Sequence, residues 1–443
     1  MSQTEVIKAP RQATLKTLLG TSIGNALEWY DWNVYGSFAI YFSSQLFYAA
    51  NPTSAFMSTM AVFAVGFVAR PFGSAFFGWL GDRMGRKHAL VVAVLCASGG
   101  SLLIAVCPTY TSAGVFSSVL LVIARLVQGL AHGGELPSAQ TYLAEVSPPR
   151  HRGLWSSAIY FTGTLGNLLG LILGLVLRNT LGADAMNLYG WRIPFALGAV
   201  LGVVAFWIRT RLEETEAFET ESKRVKEHRN LAKDVLKHWR TGLQVIGMTC
   251  GLTTGYYIWS VSTASVAQAN LGYSSNAAFT ASIIGNIVFM ISLPLWGIFS
   301  DRFGRKINML IAMVGCAVLY VPLSNVVSGG TEWWRLALVI CIMLILLGAY
   351  LGIAPAAYGE LFPTSVRVTA FGVPYAIAVA AFGGTAPYIM SALKAQPNVF
   401  VGYVILLLVI SAVTILTLKE SKGKDLVNAQ ESAPADTQPA DNQ

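Results

Sequence analysis

Again and again the chain runs for about twenty residues with almost no charged side chain, and that pattern limits its fold more than any motif does. A run of that length, wound as a helix, crosses ~30 Å of hydrocarbon. Twelve such runs can be marked, roughly 17–48, 54–80, 89–107, 115–141, 153–177, 190–208, 242–268, 275–298, 307–326, 336–358, 367–392 and 397–418. Charged residues make up 12% of the 443, where a soluble chain would carry about 25%. Lipid offers no partner to an open backbone, so the runs are expected as helices. The fold class is therefore an all-α polytopic membrane protein with 12 transmembrane helices. The opening stretch "MSQTEVIKAPRQATLK" is polar and basic, without the apolar core of a secretory signal, and none is expected.

Charge gives the orientation. Of 30 Lys and Arg, 24 lie in the two tails and the even-numbered connections. The positive-inside rule then places both termini in the cytoplasm. It also accounts for the net charge of +8 without nucleic acid as a partner. The expected organisation is an amino-terminal tail (1–16), a first six-helix half (17–208), a charged cytoplasmic linker (209–241), a second half (242–418) and a disordered polar tail (419–443). The five cysteines sit singly in apolar runs, and the five histidines form no ligand pattern. No metal, cofactor or disulfide framework is expected, nor is an enzyme's nucleophile.

The halves repeat each other. "GWLGDRMGRK" from Gly78 matches "GIFSDRFGRK" from Gly297. Glu145, Pro148 and Arg152 form E-x-x-P-x-x-x-R, and Glu360, Pro363 and Arg367 form it again 215 residues later. Both patterns fall in cytoplasmic connections. Gly81 and Gly85 permit a tight turn, and Asp82, near a helix amino-terminus, can accept backbone N–H groups. Arg86 and Lys87 are within reach of Glu145 or Asp82. Ion pairs of this kind form in one conformation and break in another. We read Gly78, Asp82, Arg83, Gly85, Arg86, Lys87, Glu145 and Arg152, with Asp301, Arg302, Gly304, Arg305, Lys306, Glu360 and Arg367, as a cytoplasmic gate. Plain positive-inside topology explains the basic residues but not the repeated Asp and Gly spacing.

The G-x-x-x-D-R-x-G-R-K loop resembles the signature of the major facilitator superfamily, whose halves are parallel repeats. "EWYDWNVYG" (Glu28–Gly36), "RPFG" (Arg70–Gly73), "RLVQGLAHGGELPSAQTYLAEVSPPRHRG" (Arg125–Gly153) and "GWRIPFALG" (Gly190–Gly198) narrow the resemblance to the metabolite:proton symporters. That family holds carriers of 2-oxoglutarate, citrate, shikimate and other organic acids, and of proline or betaine. The resemblance implies the major facilitator fold and transport by alternating access.

A charge inside a membrane span costs ~2.5–3.5 kcal/mol on insertion scales and usually marks a pathway. Arg125, Gln128, His132 and Glu135 follow at i, i+3, i+7 and i+10, one polar stripe on a helix. In the related sugar porters, an Asp in span one and an Arg at this place in span four form the proton-coupling pair. The resemblance carries those roles to Asp31 and Arg125; a static salt bridge is the plainer alternative. Arg70 lies 12 residues before Asp82, ~18 Å along the helix. It can grip a carboxylate or pair with Glu28 or a backbone carbonyl. His132 is a hydrogen-bonded packing residue, a second proton site or a substrate donor. Glu28 and Glu135 are structural or coupling residues. Arg192 anchors an interface, or serves substrate entry as the resemblance implies. Tyr35, Tyr256, Tyr257 and Trp259, with Trp29 and Tyr30, are candidates for an aromatic wall.

The expected function is proton-coupled symport of a small organic anion into a bacterial cell across the inner membrane, by a monomer driven by the proton gradient alone. The alternatives are a zwitterion or osmolyte symporter and an organic-anion exporter or antiporter. Span five lacks the Gly-Pro step of the antiporter signature, and the tail lacks the heptads of the osmosensing carriers.

Overall fold

The computed structural model describes residues 15–48, 51–84, 86–133, 135–210, 238–362, 367–424 and 426. The side chains of Gly78, Asp82, Arg83, Gly85, Arg86, Lys87 and Glu135, all expected site residues, lie outside those described, as do residues 211–237 and 427–443.

Each expected span falls on a helix or a pair of consecutive helices. In the first half these are α1 (Leu15–Leu46), α2 (Pro52–Met84), α3 (Arg86–Ala105), α4 (Val115–His132) with α5 (Glu135–Val146), α6 (Arg152–Ala185) and α7 (Arg192–Thr210). In the second they are α8 (Trp239–Tyr256) with α9 (Thr263–Leu271), α10 (Ser275–Phe303), α11 (Arg305–Ser328), α12 (Trp333–Leu351) with α13 (Ala354–Gly359), α14 (Arg367–Ala378) with α15 (Ala386–Ala392), and α16 (Pro397–Thr417). Among the described residues, eight helical stretches are long and apolar enough to cross a membrane. Large apolar side chains such as Phe72, Leu295, Val318 and Leu406 face outward. That is the surface expected of a bundle solvated by lipid.

Several spans are interrupted, and the interruptions fall near the charged centre. The seventh passes from α8 to α9 through a π turn at Tyr257–Val261, and the eleventh from α14 to α15 through another at Val379–Gly384. Such turns re-aim side chains at functional sites. In the first half, α2 and α4 lie backbone to backbone. A methyl on Gly129 would stand 2.0 Å from the carbonyl oxygen of Gly66, one on Gly73 2.0 Å from that of Leu130, and one on Gly133 2.0 Å from that of Arg70. Only glycine allows this approach, and it sets Arg70 and Arg125 at one level of the bundle. Between halves, α6 packs along α10 and α1 along α9.

Candidate functional site

The centre of the bundle is built on Trp32. The guanidinium of Arg125 lies 3.9 Å from its ring centroid and that of Arg70 lies 4.2 Å away. Arg125 also lies 4.2 Å from the ring of Tyr35, and Arg70 4.4 Å from that of Phe67. Both arginines are buried. Among the described residues, Arg70 Nε, Arg125 Nε and Nη2 and the Trp32 indole nitrogen are buried donors with no hydrogen-bond acceptor. Glu28 approaches from α1, with its Oε1 4.0 Å from Arg70 Nη2 and 3.9 Å from His132 Nδ1. Of the polar stripe on the fourth span, Arg125 and His132 face the first span, while Gln128 turns to Ser101 on the third.

Asp31 and Arg125 are both buried here, but they make no direct ion pair. Arg125 Nη1 donates to Gln128 Oε1 at 2.8 Å, and Gln128 Nε2 donates to the Ser101 hydroxyl at 2.8 Å. Asp31 and Ser101 both lie against Gly198, so Gln128 and Ser101 stand between the expected partners. Ser101, on α3, carried no sequence signal beyond being one of many serines.

The aromatic wall divides. Trp29, Tyr256 and Tyr257 meet across the two halves, with Trp29 5.3 Å from Tyr256 and stacked 6.4 Å from Tyr257. Asn167 on α6 donates to the Tyr256 hydroxyl at 3.2 Å. Tyr35 bonds the Thr59 carbonyl at 3.0 Å. Tyr30 turns to the Pro194 carbonyl at 2.8 Å, and Trp259 packs on Tyr320, both away from this wall. Arg192 is also remote. It donates to the Ala105 carbonyl at 2.8 Å and so caps the end of α3. Trp32 and Phe67 were missed in the sequence because an aromatic in an apolar run reads as packing.

At the end of the bundle that carries the repeated motifs, the halves are locked by swapped ion pairs. Arg152 Nη1 lies 3.0 Å from Glu360 Oε1, and Arg367 Nη1 lies 2.5 Å from Glu145 Oε1. Arg305 adds contacts at 3.5 Å to Glu360 and 2.8 Å to Asp301. Glu360 and the three arginines are buried. Asp301 lies in the last turn of α10, not at the start of a helix. The helix amino-terminus it caps belongs to the other half, since it accepts from Gly153 N at 2.8 Å and Leu154 N at 3.0 Å. Gly153 and Gly297 meet directly here; a methyl on either would stand within 2.8 Å of the other's carbonyl oxygen. Gly304 holds φ +109°, the left-handed region where glycine is needed for the sharp turn into α11.

The start of the tail, expected to be disordered, is docked on this ion-paired end. Ser421 donates to Glu360 Oε2 at 2.7 Å, and Arg152 Nη1 donates to the Lys424 carbonyl at 2.9 Å. Glu420 accepts from the backbone of Arg305 at 2.9 Å and of Lys306 at 3.1 Å, capping α11. Lys306 Nζ donates to the Leu416 and Leu418 carbonyls at 2.7 and 2.9 Å, capping α16. Arg302 contributes its carbonyl, which accepts from Lys422 Nζ at 2.7 Å. These residues stay ordered because backbone groups satisfy them, an arrangement that polar composition does not reveal.

A helical bundle with repeated motifs, a buried charged centre and an ion-paired end fits the architecture of a secondary transporter. The Major Facilitator Superfamily model matches residues 21–387, and the chain belongs to that family. It is 36% identical to the alpha-ketoglutarate permease of Escherichia coli K12, over 92% of this chain and 94% of that one. It is 31% identical to the citrate-proton symporter of Salmonella typhi, over 86% and 88% respectively. It is 30% identical to the proline/betaine transporter of Escherichia coli K12, over 94% and 86%. In fold it matches the inward-open xylose transporter XylE from E. coli, with a TM-score of 0.71 at 19% identity, covering 94% of this chain and 99% of that one. The protein is thus an integral membrane transporter and not an enzyme.

Proposed function

We propose that the protein takes up a small organic acid anion together with protons across the bacterial inner membrane, by rocking its two halves around the centre at Trp32. The observation that carries this reading is the set of buried donor nitrogens on Arg70, Arg125 and Trp32 that lack a hydrogen-bond acceptor among the described residues. Buried donors left unmade are costly, and a carboxylate satisfies two guanidinium edges at once. Glu28, 4.0 Å from Arg70, stands in the place an incoming carboxylate would take. Asp31 is the proton-carrying group in this reading, and Ser101 and Gln128, which stand between the two, tell it whether Arg125 has bound an anion. His132 beside Glu28 is a second candidate for the proton, and Glu135 is a coupling candidate by its place in the sequence. The motif-bearing end is the cytoplasmic gate, both termini are cytoplasmic, and the working unit is a monomer with no resident cofactor. The alpha-ketoglutarate and citrate carriers among the relatives support an organic acid as substrate.

The wall of Trp29, Tyr256 and Tyr257 favours a second reading, because rings grouped this way suit a cationic head. A zwitterion of the proline or betaine kind would use the wall and the arginines together.

Uptake into proteoliposomes under an imposed proton gradient separates the two readings. Labelled 2-oxoglutarate, citrate and shikimate are offered beside proline and betaine. Accumulation of an acid, abolished by a protonophore, is the expected result. Asp31→Asn should keep exchange of that acid while losing uphill accumulation. Efflux of a preloaded acid with no gradient-driven uptake would instead make the protein an exporter.

A further inference from the structure

The second sequence repeat extends further than its charged residues. Eight positions past Arg152 stands Tyr160, and eight past Arg367 stands Tyr375, so the tyrosines keep the 215-residue offset of the motif itself. Their hydroxyls meet at 3.3 Å. Both are buried, Tyr160 on α6 of the first half and Tyr375 on α14 of the second. Eight residues of helix place the pair ~12 Å deeper than the ion-paired end. When equivalent residues of two repeats touch each other, the contact lies on the axis that relates the repeats. The pair is thus a central closure, flanked nearer the end by Arg152–Glu360 on one side and Arg367–Glu145 on the other.

Its surroundings tie it to the charged centre. Tyr160 packs 6.2 Å from Trp29 and 6.1 Å from Tyr256, the same rings that line the centre. Tyr375 packs 5.2 Å from Phe371 and 5.7 Å from Tyr358. Two hydroxyls hold two protons, and their mutual bond uses one. An apolar pair would close the path as well, but it would leave nothing to report the arrival of charge.

We propose that Tyr160 and Tyr375 form an inner gate, the floor of the anion site, whose hydroxyl–hydroxyl bond exists only while the motif-bearing end is closed. The bond is neutral, so it closes the path beneath the site without placing a third ion pair beside Arg70. When the halves part, each hydroxyl turns to water, and the bond ceases to favour the closed form. This rests on alternating access, a property of the family, and does not depend on which anion is carried.

Hydrogen–deuterium exchange of the full chain in proteoliposomes tests it without substrate. Tyr160→Phe and Tyr375→Phe each remove one hydroxyl and keep the ring. Each should raise exchange of the gate amides, at 152–158 and 368–373, by roughly 2–10-fold, the population shift expected from one neutral hydrogen bond. The double variant should show no more than either single, because both remove the same bond. Tyr358→Phe is the control. Its hydroxyl bonds Thr249 and Tyr350 within one half at 2.8 and 3.3 Å, and its loss should leave the gate amides of the first half unchanged. Additive effects, unchanged exchange, or an equal response in Tyr358→Phe would each overturn the inner gate. Failure of every offered acid to accumulate, with the exchange pattern intact, would count against the substrate reading alone.

Discussion

Trp32 holds two like charges within reach of one ring; a dry site strengthens their repulsion, which the negative indole face and Glu28, 4.0 Å from Arg70, partly offset. Each cation–π contact contributes ~0.5–2 kcal/mol. Trp32→Leu is therefore expected to lower anion affinity about tenfold, with Trp32→Phe losing less because a face remains. Equilibrium binding in detergent, followed by calorimetry, reads this directly, and unchanged affinity in Trp32→Leu would mean that the ring only packs. The arginines stand out in the sequence because a charge in an apolar run is costly and is seldom kept away from a pathway. Trp32 does not, since aromatic residues fill such runs for packing alone. Nor could spacing along a helix show that Ser101 and Gln128 stand between Asp31 and Arg125, because Ser101 comes from a third helix.

Helices set that geometry by how closely they approach. Gly133 lets the backbone of α4 touch the backbone of α2 at Arg70, where a methyl would stand 2.0 Å from the carbonyl oxygen. Gly133→Ala must push the helices apart at a cost of ~1–3 kcal/mol, and it carries Arg70 away from Glu28. A lower thermal midpoint together with weaker anion binding is expected; Gly99→Ala, where nothing stands within 4 Å, should change neither. Glu420, beyond the last helix, behaves as a cap. Burial pushes its carboxyl up, but hydrogen bonds from the backbone N–H groups of Arg305, Lys422, Lys306 and Ser421 outweigh this and hold it below the ordinary carboxylate range. A depressed pKa stabilises the docked form above the ordinary value and loses that contribution only as pH falls through the lower one. Tail docking should therefore be insensitive to pH between ~5 and 8, and limited proteolysis of the tail can check it. Glu420→Ala should release the tail at neutral pH. The twelve runs and their helical form were legible because apolar length is a property of sequence. The breaks at the π turns and the ordering of residues 419–424 depend on tertiary partners and were not.

At the scale of the whole molecule, the gate couples the halves through buried charge. Removing one partner of a buried pair costs ~3–5 kcal/mol because the other is left uncompensated. Glu360→Gln strands Arg152 in the closed form only, while Arg305 keeps Asp301 at 2.8 Å, so the population should shift toward the open motif end. Cross-linking or fluorescence distances between labels on α6 and α14 would show it. Exchanging the charges, with Arg152→Glu and Glu360→Arg together, should recover part of the loss. The repeat made the charged motif residues of the ion-paired end legible, but not their partners. The sequence offers Glu145 to Arg86 or Lys87 of its own half, whereas the fold pairs Glu145 and Arg152 each with the other half. That swap has a consequence for descent. Arg152–Glu360, Arg367–Glu145 and Tyr160–Tyr375 are the contacts that one six-helix unit would make with an identical copy across a two-fold axis. A homodimeric ancestor would have had this lock complete before any fusion, so gene duplication had only to join a working pair.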